Sequence, residues 1–177
     1  MIDTTNGMRL ADAPEIGTYW KGQGGVYAGI MPDYEGTQPR FLIFAEDEAV
    51  DISWGPDWTT EDGAHSHDHG AANTRDLVNC RKRAHEHHAA RFAAGYEKDG
   101  HQDFYLPATR ELDVAYQTIR ESFVETDLYW TSTEKSALMA RVRNFGDVEL
   151  DYLVKSMPAR ARPVRSMPVI EDAAAAD

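Results

Sequence analysis

The histidines of this chain have the spacing that comes closest to a metal-binding site. Six of the seven histidines lie between His65 and His88, and His65, His67 and His69 alternate in a Gly- and Ala-flanked stretch. Alternate histidines can reach one metal ion through their imidazole nitrogens, but no closing ligand can be placed from the sequence. We predict a solvated loop with no stoichiometric metal and no cofactor, with a physiological metal site as the alternative.

A second histidine group, HEHH at residues 85–88, matches the zinc-protease helix motif H-E-x-x-H only in part. That motif needs its second histidine four residues after the first, where this chain has Ala89. On a helix, His85 and His88 share the apolar side. We therefore expect these two side chains to be semi-buried and hydrogen-bonded, and His87 to be exposed.

Nucleophilic catalysis has little support in the sequence. Cys80 is the one cysteine, so no internal disulfide can form, and its position suits the flank of a helix. No motif places a Ser or Cys beside a histidine and an acid. The 30 Asp and Glu residues make chance pairs of carboxylates inevitable. We predict that the protein is not an enzyme.

Charge and length limit the class of protein. The 177 residues carry a net charge of −12, which argues against a nucleic-acid partner. Residues 1–10 lack the pattern of a secretory signal, and no segment approaches the roughly 20 apolar residues of a membrane span. We predict one domain over residues 15–168, with a polar arm at 1–14 and a disordered tail at 169–177.

Short strands are predicted on both sides of a helical middle. Strand-like patterns occur at residues 26–30, 40–45, 138–145, 148–154 and 159–167. The first two are expected to form a hairpin, as are the third and fourth, while Pro163 marks an edge or a bulge in the last. Amphipathic patterns predict helices over residues 73–96 and 109–122.

Residues 46–72 lack any strand or helix period and are predicted to form a long acidic, His-rich loop. Trp54 and Trp58 lie in this segment, and we expect at least one of them to be buried as an anchor. The His-rich tip is expected to be exposed. Deleting residues 65–70 should then leave thermal stability nearly unchanged.

Three stretches in the second half carry a family resemblance. They are DFYLPATREL at residues 103–112, YWTSTE at 129–134 and RARPVR at 160–165. In this order they resemble the C-terminal domain of bacterial collagen-like lectins and related phage and prophage domains. The family has Ser or Thr after Leu-Pro as part of a capping box, whereas this chain has Ala108, which leaves Thr109 as a possible cap.

The resemblance implies an α+β, C-type-lectin-like fold with two helices, short antiparallel strands, and the N- and C-terminal strands in one region. It implies burial of Trp130 at the start of a core strand. Formylglycine-generating enzymes are related, but they use a cysteine and copper, so an enzyme of that kind is only a weak alternative. The calcium-site sequences of true C-type lectins, Glu-Pro-Asn and Trp-Asn-Asp, are absent.

The function implied is that of a non-enzymatic phage or prophage virion protein, made in the bacterial cytoplasm and oligomeric in the assembly, that binds a host glycan or protein. The alternative is a decoration or cement protein that binds capsid or tail subunits. Family members vary exposed side chains in the region that corresponds to residues 131–155. The predicted ligand-binding residues there are Glu134, Arg143, Asn144, Asp147, Tyr152 and Lys155.

Overall fold

The computed structural model describes residues 7–33, 36–81, 86–146 and 149–170, which contain ten strands and three α-helices. The strands are β1 (Met8–Arg9), β2 (Tyr19–Trp20), β3 (Gly25–Met31), β4 (Arg40–Phe44), β5 (Ala49–Ile52), β6 (Leu128–Glu134), β7 (Met139–Asn144), β8 (Tyr152–Val154), β9 (Ala159–Ala161) and β10 (Val164–Ile170). The helices are α1 (Gly70–Val78), α2 (His88–Ala94) and α3 (Thr109–Thr118), and short 3₁₀ turns cover Leu10–Asp12 and Arg120–Ser122. The predicted α+β class is confirmed.

The first sheet brings the two ends of the domain together. Its strand order is β1-β10-β4-β3-β2, with β1 parallel to β10 and the other pairs antiparallel. The β3–β4 hairpin is confirmed. Its register shifts at Gly29, whose φ of 107° is easily reached only by glycine. The N-terminal strands and β10 therefore lie in one region, as predicted.

The second sheet has the order β5-β9-β6-β7-β8, and β6 runs parallel to β9. The predicted β7–β8 pairing is confirmed. The single closing strand predicted over residues 159–167 is wrong, because β9 and β10 belong to different sheets. Pro163 lies between them, where it has no N–H to give to a ladder, and its carbonyl accepts a hydrogen bond from the Ala45 N–H at 2.9 Å.

The helix predicted over residues 73–96 is interrupted. Helix α1 ends at Val78 and α2 begins at His88, while residues 82–85 lie outside the described ranges. The start of α2 is fixed by tertiary contact, since the Ala89 N–H donates to the Ser53 carbonyl at 3.2 Å. The helix predicted over 109–122 is confirmed as α3 followed by a 3₁₀ turn, so the described chain has three α-helices where two were predicted.

Two aromatic-rich clusters make most of the core. Against the first sheet, α3 packs Leu112 and Ala115, and the residues after it add Ile119 and Phe123, whose ring stacks on Phe145 at 3.8 Å between centroids. Helices α1 and α2 pack against the second sheet around Trp54 and Trp130, together with Leu77, Ala89, Ala93 and Val142. Each large buried apolar side chain contributes about 2–3 kcal/mol of burial free energy. The two clusters hold the helices on the sheets.

The ends of the chain are only partly described. Within the predicted arm, Met8 and Arg9 pair with Val169 and Ile170, so this part of the arm and the first residues of the predicted tail belong to the first sheet. Residues 1–6 and 171–177 lie outside the described part of the chain, as do the disorder and arm predictions that fall on them.

Candidate functional site

The first motif stretch builds the start of α3 around a buried carboxylate. Glu111 is fully buried and accepts hydrogen bonds from the Ala108 N–H at 2.8 Å, the Tyr105 hydroxyl at 2.8 Å and the Arg40 guanidinium at 3.1 Å. Burial raises the pKa of Glu111, and the charge of Arg40 acts in the opposite direction. This carboxylate therefore supports the fold and faces no solvent.

Thr109 does not cap α3, because the helix begins at Thr109 with Ala108 as its N-cap residue. The N–H groups of the first turn find acceptors elsewhere. The Thr109 N–H donates to the Thr133 hydroxyl at 3.3 Å, and the Arg110 N–H donates to the His67 carbonyl at 2.9 Å. The Ser or Thr of the family pattern is thus replaced by groups from β6 and from the His-rich segment.

The third motif stretch makes internal ion pairs and hydrogen bonds. Arg165 donates to both carboxylate oxygens of Asp103, at 2.8 and 3.0 Å. Burial opposes ionisation of Asp103, yet its hydrogen bond and attraction to Arg165 prevail and lower its pKa. Arg162 donates to the Ala45 and Ser122 carbonyls, each at 2.6 Å. Both arginines are buried. Arg165 ties β10 to Asp103, and Arg162 ties the β9–β10 connection to the end of β4 and to the 3₁₀ turn after α3.

Trp130 of the second stretch is fully buried, as expected from the resemblance. Its indole N–H donates to the Ile52 carbonyl at 2.8 Å, which ties β6 to β5. We call the stretches at residues 103–112, 129–134 and 160–165 the motif frame. The residues that carry the family resemblance are therefore mainly residues that build the fold.

Two of the predicted ligand-binding residues are in the interior. Glu134 and Lys155 form an ion pair of 2.5 Å in which neither side chain is exposed. The ammonium group of Lys155 also donates to the Thr59 carbonyl at 2.6 Å and lies 4.9 Å from the centre of the Trp54 ring. The exposure that we expected of these two side chains is wrong, because each satisfies the other's charge inside the fold.

The other predicted residues have different surroundings. Arg143 is half-buried, stacks at 4.2 Å over the Tyr116 ring and pairs with Asp113 at 3.1 Å. Burial raises the pKa of Asp113, and the Arg143 charge counteracts it. Asn144 is buried and donates to the Glu125 and Asp127 carbonyls. Tyr152 is 44% exposed, while Asp147 lies outside the described ranges.

Arg143 and Asn144 meet at a shallow groove of about 580 Å³ between α3 and the β7–β8 sheet edge. Its lining consists of Tyr116, Arg143, Asn144, Gly146, Glu149, Leu150 and Asp151. Among these lining residues there are two carboxylates and one guanidinium, the latter held in place by Tyr116 and Asp113. The groove is thus polar and, for the side chains described, more acidic than basic.

Residues 46–72 include β5 and the first residues of α1, and residues 53–69 between them form neither helix nor strand. This irregular part has the character of the predicted loop, but several of its side chains are buried in the fold. Trp54 is 1% exposed and its indole N–H donates to the Thr131 carbonyl at 2.8 Å, which confirms the buried anchor. Trp58 is 77% exposed and has a φ of 61°, a rare conformation for a bulky residue.

The predicted exposure of the His-rich tip holds only for His65. Ser66 and Asn73 exchange hydrogen bonds at 2.7 and 3.1 Å, and Asp68 is buried against Arg110 with oxygen–nitrogen distances of 2.8 and 3.0 Å. Burial, with the charges of Arg141 and Arg110, lowers the pKa of His67. The tip therefore supports α1 and α3, and the expectation that its deletion leaves stability unchanged lacks its physical basis.

The group of possible metal ligands that the structure does bring together was not expected. Within the described residues, only Glu61, Cys80 and His87 place three such atoms close together, all within 4.8 Å of one another. We call them the Glu61–Cys80–His87 cluster. The alternating His65, His67 and His69 form no such group in the described part of the chain.

The histidine prediction was wrong for His87, whereas the hydrogen bond predicted for His88 is present. His87, expected to be exposed, is fully buried, and its ring meets the Trp54 ring edge-on at 5.0 Å. His88 has half of its side chain exposed, and bonds to the Ser53 hydroxyl at 2.8 Å. His85 lies outside the described ranges. Because α1 and α2 are separate helices, His87 does not take the exposed position that a continuous helix would give it.

Comparison with known proteins assigns no family to this chain. Neither the protein-family models nor the curated proteins contain a match. Within the described ranges, none of the helices has the length and apolarity that a bilayer crossing requires.

Proposed function

We propose that the protein is a non-enzymatic recognition module of a phage or prophage virion, with a C-type-lectin-like fold, that binds a host glycan. The observation that carries this proposal is the polar groove at Arg143. The groove lies at the connection between β7 and β8. This connection is part of residues 131–155, for which the family resemblance predicts variable, exposed side chains. The resemblance of the motif frame to lectin and phage domains supports the virion context.

The lining of the groove favours a particular kind of glycan. Carboxylates such as Glu149 and Asp151 accept hydrogen bonds from sugar hydroxyl or amino groups, and the Arg143 guanidinium donates to sugar oxygens. The excess of carboxylates disfavours acidic sugars by charge repulsion. We therefore expect neutral or amino sugars as ligands, bound without calcium.

The test is a binding assay on bacterial envelope glycans arrayed as neutral, amino-sugar and acidic classes. Wild-type protein should be retained on a subset of the first two classes. Arg143→Ala removes a hydrogen bond from a charged donor, worth about 1.5–3 kcal/mol, and should weaken retention by about tenfold or more.

Arg75→Ala is the matched control, because Arg75 is an exposed arginine on α1 and is not among the residues that line the groove. This control should bind like wild type, and both variants should keep their melting temperature within a few degrees. Absence of any glycan binding by wild type, or equal binding by Arg143→Ala, contradicts the proposal.

A decoration protein is the second candidate, and exposed Trp58 favours it. The Asp57 carboxylate accepts hydrogen bonds from the Ser156 N–H at 3.0 Å and from its hydroxyl at 2.6 Å, which join the segments that carry Trp58 and Met157. Both of these side chains are exposed, at 77% and 49%. Tryptophan is enriched among residues that dominate protein–protein binding, so this patch suits contact with a capsid or tail subunit.

Cosedimentation with virion particles that lack the protein distinguishes the two candidates. A decoration protein should bind such particles, and Trp58→Ser should reduce binding by about tenfold or more, since a buried interfacial tryptophan contributes about 2 kcal/mol or more. Arg143→Ala should leave it unchanged. Binding that is insensitive to Trp58→Ser speaks against this candidate.

A further inference from the structure

Three side chains of different ligand chemistry meet at the Glu61–Cys80–His87 cluster. Glu61 precedes α1, Cys80 follows α1, and His87 immediately precedes α2. The cluster therefore connects the segment before α1 to the connection between the two helices. A carboxylate, a thiolate and an imidazole are the three side-chain ligands by which proteins bind zinc.

The two distances from Glu61 to the other side chains are close to those between ligands of one zinc ion. Zinc binds nitrogen and oxygen at about 2.0 Å and sulfur at about 2.3 Å, so tetrahedral angles separate N and O ligands by about 3.3 Å and S and O ligands by about 3.5 Å. His87 Nε2 lies 3.3 Å from Glu61 Oε1, and Cys80 Sγ lies 3.2 Å from Glu61 Oε2. Small rotations of the side chains would place an ion between them.

The imidazole is held in place by its surroundings. His87 is fully buried against the edge of the Trp54 ring. On another side, a Cβ atom at Gly55 would lie 2.6 Å from His87 Nδ1, so only glycine allows this approach. A ligand with its orientation fixed in this way loses little conformational entropy when it binds a metal.

Glu61 is held through its main chain. The Glu61 N–H donates to both carboxylate oxygens of Glu134, at 3.2 and 3.1 Å, and Glu134 is in turn held by the buried Lys155 ammonium. The buried ion pair thus fixes the backbone from which one ligand projects. Cys80 is only partly buried, which leaves room for a water molecule as a fourth ligand.

The order of the side chains argues against a catalytic cysteine. A nucleophilic cysteine needs a histidine next to its sulfur, and an acid on the far side of that histidine. Here the carboxylate lies between the other two, since Glu61 contacts Cys80 through Oε2 and His87 through Oε1. That order suits ligands around a shared ion better than a proton relay.

We propose that Glu61, Cys80 and His87 bind one zinc ion, with water in the fourth position. The ion would join the segment before α1 to the α1–α2 connection, and it would stabilise the folded state because the unfolded chain lacks the assembled site. This site is independent of the groove at Arg143. It replaces the expectation, drawn from the sequence, of a protein without stoichiometric metal.

Wild-type protein without an affinity tag allows a test that needs no substitution. Cys80 is the sole cysteine, so a thiol reagent reports on this side chain alone. Adding zinc to chelator-treated protein should slow the reaction by about tenfold or more, because a metal-bound thiolate is a poorer nucleophile than a free one, and excess chelator should restore the rate. A rate that zinc does not change overturns the proposal, including the case in which the cluster is only a hydrogen-bonded part of the core.

Elemental analysis of dialysed protein gives the stoichiometry. Wild type should retain about one zinc per chain, whereas Cys80→Ser and His87→Gln should each retain little. His88→Gln is the matched control, since this neighbouring histidine is exposed and outside the cluster, and it should retain zinc like wild type. Cobalt bound to wild type should show thiolate-to-metal charge transfer that is absent from Cys80→Ser.

The competing site is the His-rich tip. Zinc that is retained in both cluster variants but lost when His65, His67 and His69 are replaced together overturns the proposal in favour of that tip. If the cluster variants fail to fold, the thiol-reactivity assay on wild type still decides, because zinc protection of Cys80 requires its sulfur to be at the site.

Discussion

The motif frame and the Glu61–Cys80–His87 cluster use polar side chains in opposite ways. In the motif frame, Glu111 and Arg165 have their partners within the fold, on β4 and in the residues just before α3. In the cluster, three side chains of types that can bind a metal meet from separate segments that show no sequence motif. The residues with a recognisable sequence pattern therefore build the fold, whereas the candidate metal ligands come together where segments without such a pattern pack against each other.

Substitutions of Trp54 and Trp58, both within residues 46–72, should differ most in their effect on the free energy of unfolding. Trp54→Ala should lower the free energy of unfolding by about 3–5 kcal/mol, because it leaves a cavity and removes the hydrogen bond to Thr131. Trp58→Ala should change it by about 0.5 kcal/mol or less, since Trp58 is mostly exposed. Urea unfolding measures both. Equal, small effects would show that residues 46–72 are a peripheral loop after all.

The buried Glu134–Lys155 ion pair links the motif frame to the Glu61 main chain. Breaking this pair should lower the free energy of unfolding nearly as much as Trp54→Ala does. Lys155→Met leaves the Glu134 carboxylate buried without its cation and should lower stability by about 3 kcal/mol or more. Arg9→Ala is the control, because the Arg9–Asp12 pair is exposed and should contribute about 1 kcal/mol or less. A Lys155→Met protein as stable as wild type would mean that the pair is open to solvent.

Deletion of residues 65–70 should now be destabilising, by about 2–3 kcal/mol. It removes the hydrogen bonds of Ser66 to Asn73, the Asp68–Arg110 ion pair and the His67 carbonyl that accepts from the first turn of α3. A melting curve compared with that of His65→Ala, which removes only an exposed side chain, measures the effect. Equal melting temperatures would restore the picture of an exposed tip.

The smallest expected effect is the pH dependence that Glu111 confers. Its pKa is raised in the folded state, so the folded protein holds this proton more tightly than the unfolded chain. Its contribution to stability is therefore complete below the ordinary glutamate pKa of about 4.3 and is lost as pH rises through the raised value. Glu111→Gln should lack this part of the slope.

Unfolding free energies at several pH values between about 4 and 7 measure that slope in wild type and in Glu111→Gln. Asp103 provides the opposite sign, because its pKa is lowered: its contribution is present above the unfolded pKa and is lost as pH falls through the folded one. Identical slopes in wild type and Glu111→Gln would contradict the burial of a carboxylate at the start of α3.

Local patterns predicted the local elements. The hairpin of β3 and β4, the pairing of β7 with β8 and the position of α3 all follow from alternation, turn residues and amphipathicity within short windows. The interruption between α1 and α2 could not be predicted in this way. The apolar pattern continues past Val78, whereas the contact of α2 with Ser53 involves a residue from before α1.

The cluster was missed for the same physical reason. Glu61 and Cys80 are 19 residues apart, and only the packing of α1 brings them into contact. Continuous helical periodicity placed His87 on the exposed side, and no local pattern indicates that it turns toward Trp54. Gly55 was the one signal available, since a glycine within a tryptophan-rich stretch permits close approach of another side chain.

Hydrogen exchange with and without zinc tests the central difference between the two regions most directly. Zinc should slow the exchange of chelator-treated protein in peptides that contain Glu61, Cys80 and His87. Peptides from the motif frame at residues 103–112 and 160–165 should be slowed less, and only as far as zinc raises the free energy of global unfolding, because these residues do not contact the ion. Exchange that zinc leaves unchanged near the cluster, or slows mainly in those frame peptides, would contradict the assignment of chemistry to the cluster and of structure to the frame.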